Sequence, residues 1–268
     1  MRPPPAAASR TRASTILPTK KRPQAYRAFA VLFWLLLWQL AAMAVGHEFL
    51  LASPLEVFKS LTRLLLLAGT YRAALRSLGR ILLGFLAGLV FAVLLAAGSS
   101  KSALVRELAA PLVSAARSVP VASFVILAII LVSTRWLSSL IALVIGFPVI
   151  YINLMEGLHH RDLKLAQMAQ VFQVPFFRRL LFVNLPQLMP YLRAGAVTAL
   201  GLCWKSGVAA EVIGIPTGTI GEQLYRVKVN YYTADLFAWT IIIVALSLLS
   251  TALFKGLMDL GIRRLEGL

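Results

Sequence analysis

The side chains of this sequence that could do chemistry are mostly cations set in apolar runs. Lys205 lies between Trp204 and Ser206 in a long apolar stretch, with Glu211 further along the same block. A lysine at mid-span costs roughly 2.5–3.5 kcal/mol on insertion scales, so it needs a carboxylate partner or water. Glu211 stands about 120° away around a helix, which disfavours a pair within that helix. Two readings stay open. Lys205 lines a pathway and favours an anion such as a sulfonate or carboxylate, or it forms a buried pair with another helix or a second subunit. Arg117 is followed by Ser118, Val119 and Pro120, a charge beside a helix breaker. Irregular backbone inside a bilayer is tolerated only where it packs in protein or lines a wet cavity. Arg117 and Pro120 therefore line a cavity, or Arg117 snorkels out from a kinked helix.

Catalytic chemistry finds no support. The chain has no G-x-x-x-x-G-K-[ST] loop and no Gly-Lys dipeptide, so nothing in it cradles a nucleotide phosphate. No Ser, His and Asp set and no carboxylate pair falls where a pocket is expected. His47, His159 and His160 lack metal-ligand spacing. A single cysteine, Cys203, excludes an internal disulfide and any multi-cysteine metal or redox centre. The expectation is a chain with no catalytic residue, no metal and no cofactor of its own.

The elements that must position these residues are membrane spans. Of 268 residues, 59% are hydrophobic and only 14% charged, with mean hydropathy +0.81. A soluble domain of this length carries far more charge. The net charge of +17 reads as the Lys/Arg excess of the cytoplasmic side of a membrane protein rather than as a nucleic-acid surface. Apolar blocks are predicted over about 29–45, 72–97, 103–132, 137–154, 191–213 and 234–254. The third is too long for one straight span and breaks at Pro120. Arg72, Arg76 and Arg80 share one face of the second block, while Gly79, Gly84 and Gly88 allow close helix contact. Ser53-Pro54 reads as a turn after the first block, and 214–233 as a loop rich in turn residues. Residues 1–27 hold seven basic residues and no acid. They read as a disordered basic cytoplasmic tail. The domain plan is this tail, a transmembrane domain over 28–257, and a cytoplasmic tail over 258–268. The fold class is all-α and polytopic, with six transmembrane helices. Lys/Arg asymmetry puts both termini inside.

One polar interruption, 159–190, divides the fourth block from the fifth. Leu165, Met168/Ala169 and Phe172 recur as the apolar stripe of an amphipathic helix. Pro175 can open a second helix, and Pro186 marks the next break. Two short cytoplasmic helices are predicted, joined by a turn near 173–175.

This interruption resembles the EAA loop of ABC importer permeases: Glu-Ala-Ala, three residues, Gly, nine residues, Ile, one residue, Leu-Pro. With Leu185-Pro186 on the Leu-Pro, Val183 falls at the Ile, Gln173 at the Gly, and Gln167-Met168-Ala169 at Glu-Ala-Ala. Identities agree at Ala169, Leu185 and Pro186. Arg117-Ser118-Val119-Pro120 resembles the RS(I/V)P of the nitrate, sulfonate and taurine type. The run from Gly201 to Ile213, through Trp204, Lys205 and Glu211, is similar to their GLAW…VAAE span. Ser53-Pro54 with Val57 is similar to their outer PSP…V segment. The ordered set covers about residues 30–257.

The resemblance implies a permease subunit of a binding-protein-dependent ABC importer with the type I importer fold, in the bacterial plasma (inner) membrane. It implies a second permease subunit, most simply a homodimer, an external substrate-binding protein, and a dimer of ABC ATPases on the cytoplasmic side. ATP and Mg would be bound by those ATPases. The loop over 157–190 would be the coupling helix, with Leu165, Gln167, Met168, Ala169, Phe172, Gln173, Val183, Leu185 and Pro186 meeting the ATPase or shaping the contact. Arg117, Pro120, Trp204, Lys205 and Glu211 are the pathway candidates. The alternative is a secondary transporter or channel independent of ATP, which would carry more intramembrane carboxylates and no docking helix. Gln167 removes the family's charge, and Gln173 removes a glycine where the turn would favour φ > 0. The cost of a non-glycine residue there is on the order of 1 kcal/mol.

Overall fold

A computed structural model describes residues 24–47 and 50–266. Most of the basic tail predicted over 1–27 lies outside them, as does Glu48. The tail's last four residues already belong to the first helix, α1 (Gln24–Val45). Among the described residues every regular element is helical: α2 (Pro54–Leu66), α3 (Ala68–Lys101), α4 (Ala103–Ser118), α5 (Val121–Leu131), α6 (Thr134–His159), α7 (Leu163–Val171), α8 (Phe176–Arg179), a π turn (Leu180–Asn184), α9 (Leu185–Gly214), α10 (Ile220–Val229) and α11 (Thr233–Glu266). Five helical stretches are long and apolar enough to cross a membrane, and six if α4 and α5 count as one broken span. Those two meet at a bend of 108°, where Val119 and Pro120 are extended. The break follows from Pro120, which lacks an N–H and pushes its predecessor out of the helical region.

The core is built by α6 with α3 on one side and α9 on the other. Small residues let these backbones approach, as expected where lipid supplies no hydrophobic drive between helices. A side chain on Gly84 would run into the backbone of Ser139, and one on Gly88 into that of Leu143. Gly79, predicted to share this role, has open space around it. It stands on the exposed side of α3. Ile81, Phe85, Ile150, Leu200 and Trp204 fill the interior. In contrast, α1 has nearly all its apolar side chains on the outside. It touches the bundle through Trp38, whose Nε1 donates to the Ala52 carbonyl at 3.1 Å and whose ring lies 5.3 Å from that of Phe237.

Three local expectations are corrected. Ser53 is the N-cap of α2 rather than part of a bare turn. Its side chain accepts from the Glu56 N–H, and the Glu56 carboxylate accepts from the Ser53 N–H at 2.7 Å, a capping box with Pro54 in the first turn. The loop predicted over 214–233 contains α10, capped by Thr219. Finally, Pro186 does not break the chain. From Phe176 to Gly214 the helix is continuous, and the proline is absorbed by the π turn before it. There the Leu185 N–H reaches back five residues to the Leu180 carbonyl. In a regular α-helix the Pro186 ring would strike the carbonyl four residues back, and the wider turn relieves that clash. Apart from these three, α11 continues as helix to Glu266 through the segment expected as the cytoplasmic tail.

Candidate functional site

The interruption between α6 and α9 is a built structure. Asp162 caps α7: its Oδ1 accepts from the N–H groups of Lys164 at 2.8 Å and Leu165 at 3.4 Å. The Asp162 N–H in turn donates to the Gln187 side-chain oxygen at 2.8 Å, and Gln187 Nε2 donates to the Val183 carbonyl at 2.9 Å. The start of α7 is thus tied to the helix that leads back into the bundle. At its other end, the Val174 N–H bonds to the Ala169 carbonyl at 2.9 Å and the Gln173 N–H to the Gln170 carbonyl at 3.1 Å. This is the Schellman pattern, with Gln173 as the left-handed residue at φ 49°. A glycine normally takes that position, so the turn carries a steric cost.

This geometry leaves one side of α7 open. Ala169 is buried, whereas Leu165, Gln167, Met168, Phe172 and Gln173 are exposed. Phe172 is 74% exposed and Val171 79%, and Phe176 and Phe177 continue the apolar patch beyond the turn. Val183, Leu185 and Pro186 are half-buried under the loop. The loop candidates fall in two sets: an outward apolar face, and a base formed by the π turn and the first turn of α9.

The pathway candidates do not form one cluster. Trp204 is buried and its Nε1 donates to the Ser250 hydroxyl at 2.7 Å, tying α9 to α11. Cys203 is buried on the opposite side, with Sγ donating to the Ala142 carbonyl at 3.1 Å. Lys205 points away from both. It is exposed, in line with Ala194, Thr198 and Leu202 below it and Ile213 above. Among the described residues no carboxylate pairs with it. Within the described residues, then, Lys205 is an exposed cation and not a member of a buried pair. Arg117 and Pro120 are exposed as well. Arg117, Arg106, Ser114, Ser118 and Tyr151 line a groove of about 440 Å³ between α4 and α6.

Glu211 is fully buried and belongs to a different constellation. Its Oε2 accepts from the Ser77 hydroxyl at 2.6 Å and from the Gly221 N–H at 3.3 Å. Ser77 Oγ accepts from the Ile220 N–H at 2.9 Å. The carboxylate and the serine thus cap the first turn of α10, where a helix favours negative charge. A side chain at Gly221 would collide with Glu211 itself, so only glycine permits this approach. Arg80 lies within electrostatic reach of the carboxylate. Its Nη1, Glu211 Oε1 and Ser138 Oγ are shielded from solvent without a hydrogen bond of regular geometry. The sequence displays the arginine stripe and Glu211 but carries no local sign of their convergence. Ser77 gave no signal at all, being one hydroxyl among many in an apolar helix.

Comparisons with known proteins agree with this architecture. A family model described as binding-protein-dependent transport system inner membrane component matches residues 81–267. A Bacillus subtilis (strain 168) protein named as an aliphatic sulfonates transport permease, SsuC, is 27% identical over 225 residues, covering 82% of this chain and 80% of that protein. The protein of the same name from Escherichia coli (strain K12) is 33% identical over 107 residues, 40% of each chain. A crystal structure described as an amino acid ABC transporter with histidines superposes with a TM-score of 0.54, covering 70% of this chain and 90% of that one. At 17% identity it speaks to the fold alone.

Proposed function

Since the chain belongs to the binding-protein-dependent transport system inner membrane component family, and is thus a multi-pass membrane permease of the ABC importer class, we propose that it forms the solute pathway as one of two permease subunits, with a small anion such as a sulfonate or nitrate as its cargo. The comparisons lend no support to an ATP-independent transporter or channel. In this reading both termini and the loop over 157–190 face the cytoplasm of a bacterial cell. A separate ATPase pair binds ATP and Mg and docks on α7. An external binding protein delivers the solute from the opposite side.

The observation that carries the coupling assignment is the open face of α7. Leu165, Met168 and Phe172 are exposed on a helix that is capped at both ends and tied to α9. An amphipathic helix held in that way suits insertion into a groove on a partner. The motion it receives would enter α9 directly, because the helix runs unbroken from Phe176 to Gly214. The cargo assignment rests on the sulfonate relatives and on Lys205, a cation with no carboxylate partner among the described residues. On α9 it occupies the face left open to a second subunit or to water.

Two experiments test the reading. A photo-crosslinking amino acid at Met168 or Phe172, activated in cells, is expected to capture an ATPase bearing a phosphate-binding loop, identified by mass spectrometry. Capture of lipid alone at normal expression would refute the docking role. Lys205→Met is expected to cut uptake of labelled ethanesulfonate by tenfold or more. Unchanged uptake would remove Lys205 from the pathway.

A further inference from the structure

A second basic site lies at the other end of the bundle from α7. Arg76 and Arg80 on α3, Thr134 and Arg135 at the start of α6, and Pro216 and Thr217 after α9 enclose a cavity of about 400 Å³. Thr134 and Arg135 open α6, Pro216 and Thr217 follow the end of α9, and Arg76 and Arg80 lie in the first half of α3, so the cavity lies toward the end of the bundle away from the coupling loop. Arg76 and Arg135 lie close enough to Arg80 to repel it, and Glu211 is the carboxylate that offsets them. Neither Arg76 nor Arg135 pairs with a carboxylate among the described residues. Arg135 lies over the Trp136 ring at 5.6 Å, and Arg76 packs against Gly218. Arg80 lines the cavity, and its Nη1 is shielded from solvent without a hydrogen-bond partner. Arg76 and Arg135 are exposed and Arg80 is half-buried, so three guanidinium groups with one carboxylate beside Arg80 leave a positive excess at an open cavity. Such an excess draws an anion into it.

We infer that this cavity is a binding site for the oxyanion head of a small solute, a sulfonate or similar tetrahedral anion, held before it reaches Lys205. Guanidinium groups match such oxygens with paired N–H donors, and the hydroxyls of Thr134 and Thr217 supply further donors at the rim. The cavity also sits beside the constellation of Glu211, Ser77 and α10. An anion there would give Arg80 a second negative neighbour beside Glu211. The inference rests on the anionic-cargo reading given above.

The test uses the full-length protein in phosphatidylcholine nanodiscs with trifluoromethanesulfonate as a ¹⁹F NMR probe. Saturable broadening of the probe is expected. It should weaken at least tenfold in Arg76→Gln/Arg135→Gln, a pair of exposed positions, and persist in Arg80→Lys and Lys205→Met. Displacement by ethanesulfonate or by inorganic phosphate would each support an oxyanion site, and their ratio sets its preference. No saturable binding, or binding unaffected by the double substitution, would overturn the inference. So would loss of binding when phosphatidylglycerol replaces part of the phosphatidylcholine, which would assign the cavity to a lipid headgroup. The measurement needs no ATP and no partner, so its failure beside intact crosslinking through α7 would discard the cavity and leave the importer assignment standing.

Discussion

Gln173 holds a backbone conformation that glycine would adopt more cheaply. Its φ of 49° closes α7, and the hydrogen bonds at Gln173 and Val174 show that the turn is complete despite the cost. Gln173→Gly should therefore stabilise the loop by about 1 kcal/mol, seen as slower amide hydrogen exchange over 169–174. It should preserve or raise ATPase binding, and a fall in binding would mean that the glutamine side chain itself makes the contact. Glu211 offers the opposite case. Glu211→Ala strips acceptors from Ser77 and Gly221 and leaves Arg80 without its carboxylate, each buried loss costing about 1–3 kcal/mol. A clear drop in thermal unfolding temperature in detergent is expected. Glu211→Gln keeps an acceptor and should cost less, and equal effects from the two substitutions would show that charge, not hydrogen bonding, matters there. The sequence made Gln173 legible because its position follows from spacing along one loop. It left Glu211 half-read because its partners come from α3 and α10, far away in the chain, and no local pattern encodes such convergence.

Among the elements, long apolar helices were easy to read because each is a continuous block that only lipid or a core can accept. The short ones were not. Both α2 and α10 are amphipathic helices of modest length whose turn-forming residues, Ser53 and Thr219, are helix caps rather than loop formers. A proline in the first turn of α2 is equally at home in a helix or a turn. The π turn before Pro186 was hidden for a related reason: a proline signals a break unless the preceding turn widens to admit it. Pro186→Ala removes the need for that widening. Segment 180–184 is expected to relax toward α-helix, changing the rotation of α8 about the axis of α9. Spin-label distances between positions 177 and 198, measured by pulsed EPR, would reveal the change, and unaltered distances would show that the π turn is held by packing instead.

At the scale of the whole molecule, the described residues form a core of α3, α6 and α9 with exposed apolar helices around it. That surface is what a membrane and a second subunit would cover. The orientation rests on charge, and labelling can check it. In a Cys203→Ala background, a cysteine at position 228 on α10 should react with an impermeant maleimide applied to intact spheroplasts. One at position 172 should react only after permeabilisation, and the reverse pattern would invert the assigned topology. A π turn also holds one residue more than the α-helix it interrupts. The chain therefore carries, within 180–184, the place where a one-residue gap would fall in an alignment with relatives that lack the turn. Deleting one residue there would close the turn to regular α-helix and keep the faces on either side in register, whereas deleting one from the regular helix of α9 would swing everything before it by about 100° around the axis. For a loop that presents only one face of α7, the turn is thus a place where the chain can lose a residue and still greet the same partner.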